Sequence, residues 1–292
     1  MQPSPWLNSR EIWKLVHKLN WSDSDYDIHK MYFLSLFSHL VYYKITVQEF
    51  AQFRRATVVP SFSFQEQIYN RDLDFEQIVR PLDVEILDII ENEYFIAIIF
   101  KIKDLKIISF RGTSNLFDWR INLDARGIDF YEGRFHHGFF SETIRTLKEL
   151  SRSNYLKNGL IYLTGHSLGG ALAGVMSALT TSSIKGNLVS VYTFGTPRFG
   201  NNKFSLPWQK PYCCIRKGDP VPNTPPIWLG YEDPEFLINT CGKPIDFDRG
   251  ISEMNFVKLT LKQWRLEFFN DHSMEGYVEE ILQKLRLTSN LL

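Results

Sequence analysis

The stretch LIYLTGHSLGGALAGVMSALTT, residues 160–181, decides the expected fold. It opens with a short apolar run typical of a buried strand. From Ser167 it continues with small and apolar residues typical of a helix packed closely on a sheet. Where the two meet, Gly165 to Gly169 spell GxSxG. A serine at such a turn is presented above the sheet, and the flanking glycines leave room for the neighbouring backbone. We therefore predict that Ser167 is a nucleophile.

Strand and helix patterns alternate on both sides of this stretch. Residues 94–100 (YFIAIIF) and 106–110 (KIISF) predict a hairpin, residues 138–153 predict an amphipathic helix, and residues 188–194 and 212–217 predict further strands. Such alternation favours an α/β fold with a mostly parallel central sheet flanked by helices.

The domain organisation is predicted to be simple. No polar or Gly/Ser-rich linker divides the chain, so we expect a single domain over residues 1–292. Residues 1–85 are expected to form a helical N-terminal preface, and residues from about 90 to 285 the core. Residues 226–262 mix Pro, Gly, aromatic and charged residues without a period and are expected to be irregular, whereas the segment from His272 is amphipathic and helical.

Composition and charge exclude several classes of protein. Lys plus Arg and Asp plus Glu are equal at 33 each, so no net field attracts nucleic acid or an acidic membrane surface. Apolar runs are broken well before the ~18 residues of a transmembrane segment. Adjacent Cys213 and Cys214 rarely bridge each other, which leaves at most one ordinary disulfide with Cys241. A globular chain is expected, and its oligomeric state stays open.

The start of the chain bears on its expected location. It has no basic start followed by an unbroken apolar run, so no secretory signal is predicted. We expect a cytoplasmic protein, with secretion by another route or as a mature form as the alternative.

The partners of Ser167 are predicted from their order along the chain. In the α/β-hydrolase fold, where such serine turns occur, the acid and then the histidine follow the serine. Of the seven histidines only His272 does so, which makes it the expected base; His166 adjoins the nucleophile and should point elsewhere. Asp219, which follows a predicted strand and a glycine, is the expected acid, with Asp233 as second choice.

Two backbone groups are predicted to stabilise an oxyanion. The helix that begins near Ser167 directs the free N–H of Leu168 toward the reacting carbonyl. The strand 106–110 leads directly to Thr113, in the place from which this fold supplies its second donor. Such a site needs neither metal nor cofactor.

The segment after Thr113 carries large apolar residues close to the predicted site. Leu116, Phe117 and Trp119 are interleaved with polar residues. They are equally consistent with a mobile lid that contacts substrate and with a fixed cover over the core.

Taken together, these motifs resemble the class 3 lipases, the fungal-lipase-like branch of the α/β-hydrolase superfamily. Six stretches carry the resemblance: SFRGT (109–113), HHGFF (136–140), TGHSLGGALA (164–173), TFGTPRFGN (193–201), GDPVPNTPP (218–226) and DHSMEGY (271–277). The resemblance covers roughly residues 90 to 285 as a lipase core and leaves the N-terminal preface and residues 227–262 unmatched. Many secreted members carry a signal and disulfides, which this chain does not show.

The resemblance implies the same site residues: a triad of Ser167, Asp219 and His272, oxyanion donors Thr113 and Leu168, and a lid over 114–123 with Leu116, Phe117 and Trp119. It implies a lipase that cleaves acylglycerol esters of the triacylglycerol type through an acyl-enzyme. The expected partner is a lipid or ester at a lipid–water interface. Alternatives with the same triad are a phospholipase A1 or galactolipase, a short-chain esterase and an acyltransferase; outside enzymes, the alternative is a non-catalytic lipid-binding protein.

Overall fold

The structure is a computed structural model. It describes residues 9–42, 84–91, 96–111, 126–152, 155–180, 187–245 and 271–288. Five α-helices lie in these ranges: α1 (Ser9–Lys18), α2 (Ile28–Leu40), α3 (His137–Arg152), α4 (Leu168–Thr180) and α5 (Met274–Thr288).

Seven of the described strands form one sheet: β1 (Glu85–Glu91), β2 (Ile96–Ile102), β3 (Leu105–Arg111), β6 (Leu160–His166), β7 (Leu188–Phe194), β8 (Tyr212–Ile215) and β9 (Phe236–Asn239). They lie side by side in that order. A separate hairpin consists of β4 (Gly127–Phe130) and β5 (Gly133–His136).

The sheet is mostly parallel. The first three strands pair antiparallel, and all later neighbours, from β3 and β6 to β8 and β9, pair parallel. In the centre, Leu163 of β6 lies between Ile108 of β3 and Val191 of β7. The predicted hairpin, β2 with β3, and the predicted mostly parallel sheet flanked by helices are confirmed.

Helices cover both faces of this sheet. On one face α1, α2 and α5 form an apolar cluster with the sheet, to which Phe37 and Val278 belong. On the other face α3 and α4 form a second cluster, with Leu150 and Val175 among its members. Because the central strands are buried on both faces, they consist of nearly continuous apolar runs, which made them recognisable in the sequence.

Helix α4 packs closely on the sheet because its first turn contains two adjacent glycines, Gly169 and Gly170. All its residues are buried. A Cβ atom at Gly169 would lie 2.0 Å from the carbonyl oxygen of Phe110 at the end of β3, so only glycine fits there. This contact holds the start of α4 against the carboxyl ends of the strands.

Helix α2 is held on the sheet by buried hydroxyl groups. The Ser38 hydroxyl lies 2.7 Å from that of Thr164 in β6, and the Ser109 hydroxyl of β3 donates to the carbonyl of Phe37 at 3.1 Å. The Tyr192 hydroxyl of β7 accepts the N–H of Asp27, just before the helix, at 3.0 Å. Hydrogen bonds near both ends therefore fix α2 relative to the central strands β3, β6 and β7.

One sequence prediction differs from the structure. Residues 226–262 were expected to be irregular, which is wrong for Phe236–Asn239, because these residues form the edge strand β9 beside β8. These residues form a strand because β8 pairs with them, and no local sequence pattern indicates it. Helices α1 and α2 fit the predicted preface, whereas residues 43–83 lie outside the described residues. The single-domain organisation stays a prediction.

The three cysteines are free thiols, Cys213 and Cys214 buried and Cys241 exposed. Within the described ranges, no helix combines the length and apolar character that crossing a bilayer requires.

Candidate active site

Ser167 is the single turn residue between β6 and α4. Its φ is +58°, a left-handed conformation that is strained for a residue with a side chain. A Cβ at Gly165 would lie 2.4 Å from the carbonyl oxygen of Gly169, which explains why this turn requires a glycine before the serine. The Ser167 N–H donates to the carbonyl of Phe194 at the end of β7, at 2.9 Å. The strained turn is therefore anchored to the neighbouring strand.

Asp219 and His272 meet beside this turn. The two atoms His272 Nδ1 and Asp219 Oδ2 are 2.8 Å apart, and both side chains are buried. Because a carboxylate only accepts hydrogen bonds, Nδ1 carries the proton and the neutral ring keeps a lone pair on Nε2. Among the described residues, neither His272 Nε2 nor Ser167 Oγ has a hydrogen-bond partner, although both atoms are buried. Within this part of the chain, both atoms therefore remain available for a new hydrogen bond.

Gly195 connects the serine turn with this pair. It follows Phe194, and its φ is +55°. A Cβ there would lie 2.7 Å from Asp219 Oδ2 and 3.0 Å from the His272 ring. The backbone of Gly195 therefore packs directly against both side chains. A glycine is required here both for its conformation and for space.

Asp219 accepts two further hydrogen bonds. Its Oδ1 accepts the N–H of Val221 at 2.9 Å, and its Oδ2 accepts the phenol O–H of Tyr277 at 2.5 Å. The Tyr277 oxygen in turn accepts the N–H of Arg216 at 3.0 Å. Burial, followed by the negative charge of Asp219, raises the pKa of Tyr277 well above its ordinary value, so the phenol stays a donor. The role of Tyr277 was missed in the sequence.

Asp233, the second choice for the acid, is paired with Arg198. Its Oδ1 accepts from Nε of Arg198 at 2.7 Å. The Arg198 side chain is fully buried, and its Nη1 also donates to the carbonyls of Asn223 and Pro225, each at 2.8 Å. Of the two aspartates, it is Asp219 that faces the histidine.

His166, the residue before Ser167, also contacts this site. Its Nε2 is 2.8 Å from the carbonyl oxygen of His272, and its Nδ1 is 2.9 Å from the hydroxyl of Tyr42. The His166 and His272 rings are 4.5 Å apart at 31°. Burial lowers the pKa of His166 well below its ordinary value, and the neighbouring His272 lowers it further. The sequence predicted only that this side chain points away from the nucleophile.

The predicted oxyanion donors are described only in part. Leu168 is the first residue of α4, where N–H groups have no partner within the helix. Thr113 and the predicted lid residues Leu116, Phe117 and Trp119 lie outside the described residues. In the part of the chain that the structure describes, no group of three or more His, Cys, Asp or Glu side chains could hold a metal ion.

A family comparison agrees with this geometry. Residues 107–228 match the family Lipase (class 3). The matched segment includes Ser167 and Asp219 and ends before His272.

Three relatives share part of their sequence with this chain. A secreted mono- and diacylglycerol lipase of Fusarium solani is 32% identical over 162 residues, 51% of this chain and 47% of that protein. One of Malassezia globosa is 26% identical over 153 residues, 45% of this chain and 50% of that protein. A triacylglycerol lipase of Ricinus communis is 30% identical over 125 residues, 39% of this chain and 22% of that protein. The chain spans half or less of each relative's length.

A solved structure of a fungal lipase resembles the fold. It gives a TM-score of 0.58 at 18% identity and covers 86% of this chain and 96% of that chain. This likeness confirms the predicted α/β-hydrolase fold.

The relatives also correct the expected location. The expectation of a cytoplasmic protein is wrong: two of the relatives are named as secreted lipases. The expectation relied on the start of the chain, and a processed secreted chain has the same kind of start.

Proposed function

Because residues 107–228 match the family Lipase (class 3), we propose that the protein is a serine hydrolase that cleaves carboxylic esters of acylglycerols. Ser167, Asp219 and His272 are the proposed triad. The observation that carries the proposal is the hydrogen bond from His272 Nδ1 to Asp219, which leaves Nε2 free as a base beside a strained serine turn.

Acylation is the first half of the proposed reaction. His272 Nε2 removes the proton of Ser167 Oγ as that oxygen attacks the ester carbonyl and forms a tetrahedral intermediate. The imidazolium then gives its proton to the departing alcohol as the bond between the carbonyl carbon and the alcohol oxygen breaks. Asp219 holds the ring and stabilises its positive charge throughout.

Deacylation repeats these steps with water. His272 Nε2 takes a proton from water, whose oxygen attacks the acyl carbonyl, and the second intermediate collapses to a fatty acid and the Ser167 hydroxyl. In both halves the developing oxyanion accepts hydrogen bonds from the N–H groups of Leu168 and Thr113. No cofactor takes part.

The substrate class is proposed from the relatives' names. Two are mono- and diacylglycerol lipases and one is a triacylglycerol lipase, so the acylglycerol ester is the shared feature and the number of acyl chains is left to experiment. A phospholipase A1, a galactolipase or a short-chain esterase would use the same three side chains. These alternatives differ in head group or chain length, not in the bond that breaks.

Hydrolysis of graded substrates tests the proposal. The purified protein, Ser167→Ala and the exposed-serine control Ser205→Ala are assayed on p-nitrophenyl butyrate, p-nitrophenyl palmitate and emulsified mono-, di- and triolein. We expect the wild type and the control to be active and Ser167→Ala to lose turnover by about a million-fold.

The outcomes separate the alternatives. Preference for emulsified oleins supports an acylglycerol lipase, and activity restricted to butyrate supports a short-chain esterase. Equal rates, or none, for wild type and Ser167→Ala contradict a serine hydrolase and support the lipid-binding alternative. Phosphatidylcholine and galactolipid vesicles, assayed in parallel, identify the two polar-lipid alternatives.

A further inference from the structure

The placement of nucleophile and base is linked by one side chain, that of His166. This residue directly precedes Ser167, and it contacts the main chain of His272, 106 residues further along. A carbonyl oxygen only accepts hydrogen bonds, so His166 Nε2 carries the proton and donates it to His272. The strand β6, which ends at the residue before Ser167, therefore also holds the segment that carries His272.

Tyr42 completes this connection from the other side. With the proton of His166 on Nε2, the neutral ring presents an acceptor at Nδ1, and the Tyr42 hydroxyl donates to it at 2.9 Å. Tyr42 lies two residues after the end of α2, and the Ser38 hydroxyl of that helix is hydrogen-bonded to β6. The Tyr42 hydroxyl thus sets the tautomer and the orientation of His166, and α2 fixes the position of Tyr42.

The surroundings leave His166 little freedom to move. The ring is tilted by 31° to that of His272, 4.5 Å away, and lies 5.9 Å from the ring of Tyr277, the donor to Asp219. His39 and Tyr42 approach it from the side of α2. The side chain of His272 is held by Asp219, and its main chain is held by His166.

We propose that Tyr42 and His166 are positioning residues for the reaction: the Tyr42 hydroxyl and the His166 ring hold the His272 main chain so that its Nε2 stays directed at Ser167. The proposal rests on the proposed function, since positioning matters only when His272 acts as a base. Neither residue takes a proton from substrate or touches it. Displacing a catalytic group by about 1 Å can cost about 100-fold in rate, which gives the size of the expected effect.

Kinetics of four variants test this role. His166→Leu removes both hydrogen bonds, Tyr42→Phe removes the outer one, and His166→Gln keeps an N–H donor near the position of Nε2. We expect kcat on p-nitrophenyl butyrate to fall about 100-fold for His166→Leu and about tenfold for Tyr42→Phe, with KM within about twofold of wild type. His166→Gln should recover most of the loss. Tyr212→Phe, at the opposite end of the parallel strands, should keep full activity.

NMR tests the hydrogen bonds of His166 and His272 in the absence of substrate. In histidine labelled with ¹⁵N, His166 should be protonated on Nε2, and its Nδ1 resonance should move when Tyr42→Phe removes the donor. The Nδ1–H proton of His272, bound to Asp219, should exchange faster with solvent in His166→Leu than in wild type. These signals remain readable if the wild type hydrolyses no ester, so failure of the proposed function is distinguished from failure of the positioning role.

Two results would overturn the inference: wild-type kcat in folded Tyr42→Phe and His166→Leu, or an unchanged His272 proton exchange rate in both. A parallel rise in KM and fall in kcat for His166→Gln would also contradict it, because the restored donor should rescue turnover. Thermal melting monitors folding, and if His166→Leu does not fold, the comparison of Tyr42→Phe with His166→Gln decides.

Discussion

The phenol of Tyr277 donates to Oδ2 of Asp219, the same oxygen that faces Nδ1 of His272. One carboxylate oxygen therefore accepts from two buried donors, and the second donor is carried by α5, the helix that follows the histidine. The Arg216 N–H donates to the Tyr277 oxygen and polarises the phenol O–H toward the carboxylate. Asp219, the acid of the proposed triad, is thus oriented by His272 and by Tyr277, and the Arg216 main chain in turn holds Tyr277.

Replacement of this phenol should reduce turnover. Tyr277→Phe removes a hydrogen bond to a charged oxygen and leaves the Arg216 N–H without its acceptor. Such bonds contribute about 1.5–3 kcal/mol, so we expect kcat to fall about tenfold or more at unchanged KM. Steady-state hydrolysis of p-nitrophenyl butyrate measures both constants. Tyr155→Phe, whose hydroxyl donates to Leu87 near the other end of the sheet, is the matched control. Equal kcat for the two variants would contradict a role for Tyr277.

The two candidate acids should respond differently to the same change. Asp219→Asn leaves the shape intact but no longer stabilises the imidazolium, and we expect kcat to fall about 10⁴-fold with a small change in melting temperature. Asp233→Asn leaves the buried Arg198 cation with a weaker partner. For that variant we expect a loss of about 2 kcal/mol in unfolding free energy, because Asp233 keeps some contact with solvent, and near-normal turnover while folded.

Urea unfolding and initial rates on the same preparations separate these effects. Should Asp233→Asn abolish turnover in the folded state while Asp219→Asn retains it, the assignment of the acid would be reversed.

Acid should destabilise the protein through its buried histidines. Burial lowers the pKa of His39 to about 4 and that of His166 well below its ordinary value. In each case the unfolded state binds a proton more readily, so unfolding takes up protons below about pH 6.5. The stability is complete above that pH and is lost as the pH falls toward the folded pKa, by about 3 kcal/mol for His39 between pH 7 and pH 4.

Urea unfolding at a series of pH values measures this slope. His39→Gln should reduce the proton uptake on unfolding by about one proton between pH 6.5 and pH 4. A slope that does not respond to His39→Gln would show that other groups cause the acid sensitivity.

An exposed apolar turn should matter for emulsified substrate. Ile227, Trp228 and Leu229 are 43%, 62% and 44% exposed, and they follow Asp219 on the loop that Arg198 holds. Partial burial of three such side chains in lipid contributes more than the ~1.4 kcal/mol that corresponds to tenfold. Replacing all three with Ser should therefore lower activity on emulsified triolein about tenfold and leave butyrate hydrolysis unchanged.

The control for this experiment is Leu287→Ser, which removes an apolar side chain that is 77% exposed near the far end of α5. Sedimentation with triolein droplets reports binding directly. Equal droplet binding by the triple variant and the control would mean that the turn does not contact lipid.

Local patterns in the sequence were sufficient for the central part of the fold and for three candidate residues. Strand and helix periods around 160–181 predicted the parallel sheet, because strands buried on both faces are continuous apolar runs. The GxSxG pattern singled out Ser167, and chain order singled out His272 and Asp219. These inferences work because each depends on neighbours in the chain or on order, which a sequence displays directly.

Only the tertiary structure decided which distant groups support these residues. Tyr42 lies 124 residues before His166, and Tyr277 lies 58 residues after Asp219, so no local period relates them. Their hydrogen bonds depend on how α2 and α5 pack on the sheet. Likewise β9 is a strand because β8 offers it an edge, not because its own four residues show a pattern. Sequence by itself determined the elements and the reactive residue types; packing decided their partners, because a hydrogen bond needs two atoms within about 3 Å and that proximity exists only in the folded chain.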